Sequence, residues 1–281
     1  MRVKAILLGV AQDGGVPQAG CYCPNCERTR RDPTDHHLVV CLGLVDHTTG
    51  QSWLIDATPD FRTQLHTLHQ FAPDCVLSGI ILTHGHIGHY TGLIHLGPEV
   101  MNAVGMPVYL TARMAEFLKG NAPWSRLVGQ GHIKLQLVTP SIEIKLCPDL
   151  ALLPLSVPHR DEFSDTLAYV IRGRGQQFFY CPDIDSWTAW EHDLRTFVSE
   201  MDVALLDATF FSPVELPGRD LNQIPHPLAT DTASRLAGVN SEVQLIHLNH
   251  SNPLLFPGPE REWLAAHGLR VGQTGAWWSL G

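Results

Sequence analysis

Residues 83–93 read Thr83-His84-Gly85-His86-Ile87-Gly88-His89-Tyr90-Thr91-Gly92-Leu93, directly after the apolar run Ile80, Ile81, Leu82. The order is a buried strand, then HxHxxH, then a small-residue turn and an apolar helix start. In an extended chain residues two apart point the same way, so His84 and His86 can grip one ion. His89, one turn into the next segment, can face a second ion beside it. Three solvated loop histidines are the competing reading in a chain with 16 histidines; the strand before the cluster and the turn after it argue against that.

Outward from this stretch, three more apolar runs end in metal-ligand residue types. Leu152–Val157 leads to His159, Gln177–Tyr180 to Asp183, and Val243–Ile246 to His247 and His250. Taken singly each would more often be an ordinary core or surface residue. Together they repeat one arrangement, and loops at the strand ends of an α/β sandwich can converge.

Near the N-terminus, Val3–Val10 reads as a buried strand ending in the turn-forming Asp13, Gly14, Gly15. Cys21, Cys23 and Cys26 follow, three thiolates at a spacing that lets a loop wrap one tetrahedral zinc and leaves a fourth position for a distant ligand. Reduced free cysteines are the alternative. Cys41, Cys75, Cys147 and Cys181 stand singly in apolar surroundings and read as small buried hydrophobes. Seven cysteines, three of them clustered, suit metal binding in a reducing compartment better than a disulfide framework.

The remaining segments alternate strand and helix. Val39–Asp46 and Ser52–Asp56 form a hairpin through Thr48, Thr49 and Gly50, and Thr58 caps a helix with Pro59 in its first turn, running to Gln70. Asp56 serves either a ligand histidine or the turn. Pro107–Leu110 is a strand, Thr111 caps a helix that Gly120 ends, and Leu135–Val138 and Ile142–Leu146 are short strands. Asp207, at the end of another apolar run, is either an orienting group or a cap.

The chain has 281 residues, 44% hydrophobic and 17% charged, with no apolar run long enough to span a bilayer, so a soluble, cytoplasmic α/β protein is expected. Residues 1–15 lack a signal-peptide cleavage site. A net charge of -9 and one short basic cluster, Arg28, Arg30 and Arg31, argue against nucleic acid as a partner. The partner expected is a small-molecule substrate, with no membrane; a homodimer is compatible with the chain.

The stretch THGHIGH resembles the HxHxDH signature of the metallo-β-lactamase superfamily, mostly zinc hydrolases built as an αβ/βα four-layer sandwich. One position departs: Gly88 stands where the superfamily has Asp. A carboxylate usual for the second ion is thus absent from its usual place, and a weak second site is expected. With GGVPQAGCYCPNC added, the chain is similar nearly end to end to the branch containing the coenzyme PQQ biosynthesis protein B and PhnP-type phosphodiesterases. The resemblance implies one domain over residues 1–281 with a structural zinc loop near 14–30, its zinc on Cys21, Cys23, Cys26 and His250.

It further implies one or two catalytic ions, Zn with Mn or Fe as alternatives. His84, His86 and His159 take the first, and His89, Asp183 and His247 the second, with Asp183 bridging and orienting the attacking water. The same relatives keep an auxiliary histidine near the leaving group, which here corresponds to His226, between Pro225 and Pro227, as general acid; as an isolated residue it could equally be a surface histidine. Because all three histidines of the stretch are retained, hydrolysis of a small phosphodiester, or of a lactone or ester, is expected. The alternative is an oxidoreductase or carrier in quinone cofactor assembly.

Overall fold

The computed structural model describes residues 2–216, 218, 220 and 225–281. One sheet begins with β1 (Val3–Gly9), β2 (Cys41–Asp46), β3 (Gln51–Ile55), β4 (Val76–Ile81), β5 (Met106–Leu110) and β6 (Ile133–Leu137). The other holds β7 (Ile144–Cys147), β8 (Leu150–Ser156), β9 (Leu167–Arg172), β10 (Gln177–Cys181), β11 (Val203–Asp207), β12 (Glu242–Ile246) and β13 (Arg270–Val271). A last strand, β14 (Trp277–Ser279), returns to pair with β1, so the orders are β14-β1-β2-β3-β4-β5-β6 and β13-β12-β11-β10-β9-β8-β7. The helices are α1 (Pro24–Arg31), α2 (Phe61–Phe71), α3 (Ile87–Tyr90), α4 (Ala112–Gly120), α5 (Trp124–Gly129), α6 (Leu194–Ser199), α7 (Ala229–Leu236) and α8 (Pro259–Ala266).

The layering follows from two-residue periodicity. Ala5 and Leu7 of β1, Trp53 and Ile55 of β3, and Ile81 of β4 meet Leu152, Tyr169, Phe178, Tyr180, Leu205 and Ile246 of the other sheet in one core. Their neighbours Ile6, Leu8, Leu54 and Ile80 face the opposite way, against Phe61 and Leu68 of α2 and Met114 and Leu118 of α4. Phe179, Cys181 and Leu206 likewise face Val198 of α6, Ala233 of α7 and Leu264 of α8. A strand buried on both faces reads as an unbroken apolar run, which is why these strands are visible in the sequence. The outcome is the expected αβ/βα order, with Cys41, Cys75, Cys147 and Cys181 all buried. Among the described residues no helix is long and apolar enough to cross a membrane.

Strand direction decides where the loops meet. β1 is antiparallel to β2, β2 to β3, and β3 is parallel to β4, so β1, β3 and β4 all end on one edge. In the second sheet β8, β10, β11 and β12 share a direction by the same reasoning. Ligand sites of α/β sheets lie outside such carboxyl ends.

The two edges are tied together by hydrogen bonds. Leu167 N–H donates to Thr83 O (3.0 Å) and Tyr169 Oη to Leu82 O (2.7 Å), at the mouth of the histidine stretch. Beyond β1, Leu248 N–H donates to Val10 O (2.8 Å) and Gln12 N–H to Leu248 O (2.9 Å).

One helix start differs from expectation. α2 begins at Phe61 with Asp60 in the capping position, and Pro59 precedes it. Thr58 Oγ1 accepts the Asp60 N–H (3.0 Å) and donates to Gln64 Oε1 (2.6 Å), closing a turn ahead of the helix. Thr111 does cap α4, accepting the Met114 N–H at 3.2 Å.

Tyr169 is fully buried, and its hydroxyl joins the sheets beneath the histidines. Tyr169→Phe leaves the Leu82 carbonyl without that donor and should cost about 1–3 kcal/mol, seen as a lower urea midpoint with unchanged slope. An unchanged midpoint would mean that this bond does not hold the sheets together.

Candidate metal centre

Four ligand-type side chains from three loops converge beyond β4, β8 and β10. His84 Nε2 lies 3.0 Å from His86 Nδ1, which lies 3.1 Å from His159 Nε2. Asp183 closes the group, Oδ2 3.2 Å from His84 Nε2 and Oδ1 3.2 Å from His159 Nε2. An ion with tetrahedral bonds of about 2.0–2.1 Å needs its ligand atoms roughly 3.3 Å apart. The observed edges match that size, and the donor types suit zinc, manganese or iron.

A second group adjoins the first across the same carboxylate. Asp183 Oδ2 is 3.9 Å from His89 Nε2 and 3.7 Å from His247 Nε2. His89 Nε2, His247 Nε2 and Asp183 Oδ1 are buried without a hydrogen-bond partner among the described residues, and so is Asp13 Oδ1, 3.4 Å from His89 Nε2. Buried polar atoms are rarely left unpaired in folded chains, so three of them, on Asp13, His89 and His247, gathered within 4.8 Å of one another are what a cation site presents.

Gly88 supplies no carboxylate to this second group, but one from elsewhere in the chain stands beside it. Asp13, from the turn after β1, fills the space in front of Gly88. In sequence it reads as a turn residue; the signal that could have found it is the one used for the other loops, an acidic side chain at the exit of a buried strand.

Each of these imidazoles in the cluster has a partner at its other ring nitrogen. Thr83 Oγ1 meets His84 Nδ1 (3.0 Å), Glu162 Oε2 meets His86 Nε2 (3.2 Å), and Asp185 Oδ1 meets His159 Nδ1 (2.7 Å). Asp56 Oδ2 meets His89 Nδ1 (2.7 Å) and Thr209 Oγ1 meets His247 Nδ1 (2.8 Å). Such contacts fix ring orientation and tautomer and raise ligand basicity. Asp56, left open between turn and ligand support, takes the second role: its Oδ1 also accepts the Thr83 N–H (2.8 Å), so its side chain serves the histidine stretch and not the turn into α2. Asp56 and His247 hold positive φ of 73° and 60°, an uncommon conformation for residues other than glycine, and both border the cluster.

His226 is buried, not a surface histidine. Its Nδ1 lies 2.8 Å from Asp207 Oδ2, 3.1 Å from Thr209 Oγ1 and 3.3 Å from Asp183 Oδ1. Asp207, which also accepts the Thr209 N–H (2.9 Å) and the Ile184 N–H (3.1 Å), is thus an orienting group.

Burial and charge from the surrounding residues shift the protonation of the cluster. Burial, reinforced by neighbouring His89, holds the His84 pKa well below its ordinary value. Burial opposes charge on His89 too, but the flanking Asp56 and Asp13 carboxylates outweigh it and raise its pKa. For His159, burial loses to Asp183 and Asp185, and the pKa is carried up to about 9. Asp183 is buried as well, yet His247, His226 and His159 hold its carboxyl well below the usual range. A carboxylate surrounded by imidazoles keeps protons on some of them unless a cation takes their place.

The cysteine loop and the second sheet form a separate cluster. Cys21 Sγ and Cys23 Sγ lie 3.3 and 3.4 Å from His250 Nδ1, and with Cys26 all four ligand atoms lie within 4.8 Å of one another. Burial pushes the Cys26 thiol up to about 12, while the Cys23 N–H donating to Cys21 Sγ lowers the pKa of that thiol. The donor set and its closure fit zinc.

Comparisons with known proteins bear on the fold and the family. The coenzyme PQQ synthesis protein B of Azotobacter vinelandii (strain DJ / ATCC BAA-1303) is 26% identical over 308 residues, covering 96% of this chain and 97% of its own. The crystal structure of Zn(2+)-bound PqqB from Methylobacterium extorquens superposes with a TM-score of 0.83 at 20% identity, covering 99% of this chain and 100% of that one. A diphosphatase of the PhnP family superposes with a TM-score of 0.72 at 22% identity, covering 99% and 97%. The family model for the beta-lactamase superfamily domain matches residues 52–247, from β3 through the histidine stretch to His247. Fold, histidine stretch and family match coincide, and the chain belongs to the metallo-β-lactamase superfamily.

Proposed function

We propose that this protein is a metal-dependent hydrolase of small phosphodiesters. The observation that carries the proposal is the Asp183 carboxylate lying between two groups of imidazole nitrogens, with Oδ1 and Oδ2 within 3.2 Å of the first group and Oδ2 within 3.9 Å of the second. His84, His86, His159 and Asp183 would hold one ion, and His89, His247 and Asp183 the other. Ions held there supply an ionised water near neutral pH and positive charge for the developing oxyanion.

The chain's own residues do the rest. Asp183 orients the attacking water between the two groups. Asp207 accepts the hydrogen bond of the His226 Nδ1–H, which leaves the Nε2 proton of the imidazolium for the departing alkoxide. Burial disfavours the imidazolium, but the Asp207 and Asp183 charges outweigh it and raise the His226 pKa above its ordinary value, which favours the acid form. The likeness to a diphosphatase structure supports phosphorus chemistry.

A second reading, a role in quinone cofactor assembly, is favoured by the end-to-end similarity to the PQQ synthesis proteins. As an oxidoreductase step it needs a redox-active metal such as iron; as a carrier it would show no turnover. Elemental analysis of protein purified without added metal, paired with turnover of bis(4-nitrophenyl) phosphate, separates the two. Zinc or manganese with chelator-sensitive turnover supports the hydrolase; iron with oxygen uptake and no phosphodiester turnover would replace it.

His226→Ala should lower turnover about 100- to 10,000-fold on substrates with basic leaving groups, with a much smaller loss on nitrophenyl esters and unchanged metal content. Equal losses on both would mean that His226 positions substrate. Cys23→Ser should lower the thermal midpoint and zinc content while sparing the chemistry of whatever protein remains folded, because Cys21, Cys23, Cys26 and His250 leave no open position for substrate. Full zinc content with an unchanged midpoint would refute a structural role.

A further inference from the structure

The histidine stretch lacks a carboxylate at Gly88, and a separate carboxylate stands beside it. A Cβ built on Gly88 would collide with Asp13 Oδ1 and sit 2.7 Å from Asp13 Cα. Asp13 therefore occupies the volume into which a side chain at residue 88 would project. Its Oδ1 lies 3.4 Å from His89 Nε2, and the ligand atoms of Asp13, His89 and His247 all fall within 4.8 Å of one another.

Two further observations make this a built position. Asp13 Oδ1, His89 Nε2 and His247 Nε2 are buried and unpartnered, and both histidines are fully buried. The backbone around Asp13 is also fixed: Gln12 N–H donates to Leu248 O (2.9 Å) and Gly15 N–H to Gln12 O (2.8 Å), with Gly15 at φ +62°. The turn so constrained fixes where the Asp13 backbone stands against the cluster.

We propose that Asp13 is a ligand of the second ion, supplying from the exit of β1 the carboxylate that residue 88 lacks, and that residue 88 is glycine because Asp13 needs its space. This rests on the reading of the cluster as a two-ion centre. The donor set becomes Asp13, His89 and His247 with the shared Asp183, and the second position loses no negative charge relative to one supplied from residue 88. Gly88→Asp would therefore not strengthen the site: the new side chain would displace the ligand already there.

The test is a Mn(II) titration of the chelator-stripped full-length chain, followed by the electron paramagnetic resonance of the free ion; manganese prefers carboxylate and imidazole to the thiolates of the cysteine loop. The natural protein should bind two ions. Asp13→Ala and the isosteric Asp13→Asn should retain the first and weaken the second by at least about 100-fold, beyond the roughly 10- to 100-fold typical of losing a group that only orients a ligand. Gly88→Ala should weaken the second ion as well, although it removes no ligand. Circular dichroism checks that each variant is folded, and Asp13→Asn with Gly88→Ala carries the test if Asp13→Ala does not fold. Folded Asp13 variants with natural second-ion affinity, or Gly88→Asp with a tighter second ion, would overturn the assignment of Asp13 while leaving the two-ion centre standing. A single ion in the natural protein's own titration would instead remove the two-ion reading, and this proposal with it.

Discussion

Two hydrogen bonds between the end of β1 and Leu248 hold the rest of the site in register. Leu248 N–H reaches Val10 O and Gln12 N–H reaches Leu248 O, so a strand of the first sheet is stitched to the loop leaving β12 of the second. Everything chemically interesting near the N-terminus hangs on this stitch. On one side of Leu248 stands His247, which meets Asp13; on the other stands His250, which meets Cys21 and Cys23. The structural cluster and the candidate active site thus share one short segment, and anchoring the cysteine loop to His250 also fixes the path of the chain that carries Asp13.

The surroundings explain why so many polar groups tolerate one small volume. The layers on either side are apolar, and charge in such a place is expensive unless it is paired. Asp183, Asp56 and Asp207 are each nearly or fully buried, and each is met by imidazole or hydroxyl groups. The outer partners of the histidines turn the remaining nitrogens inward. What is left over, a set of buried nitrogens and carboxylate oxygens without partners among the described residues, is a group that could hold a cation.

Much of this is legible in the sequence. Because the central strands are buried on both faces, they appear as apolar runs with abrupt polar ends, and His84, His159, Asp183 and His247 announce themselves at those ends. Cys21, Cys23 and Cys26 are conspicuous by spacing, and Thr111 caps its helix as local chemistry requires. Thr58 misled because its hydroxyl serves a turn just before α2, a competition between local hydrogen bonds that residue type alone cannot settle. Asp185 and Glu162 went unnoticed because a carboxylate that only supports a ligand has no spacing rule; its partner is near in space and far along the chain.

Sequence alone therefore determined the inventory: which strands are buried, which residues stand at their ends, and that one position of the histidine stretch is vacant. Tertiary structure decided how the inventory is assembled. Side-chain periodicity is a local property and fixes which way His84 and His86 point, but it says nothing about which distant turn will lie over Gly88. That depends on strand direction in two sheets and on the bonds joining β1 to Leu248, which bring the Asp13 carboxylate to the place the histidine stretch leaves open.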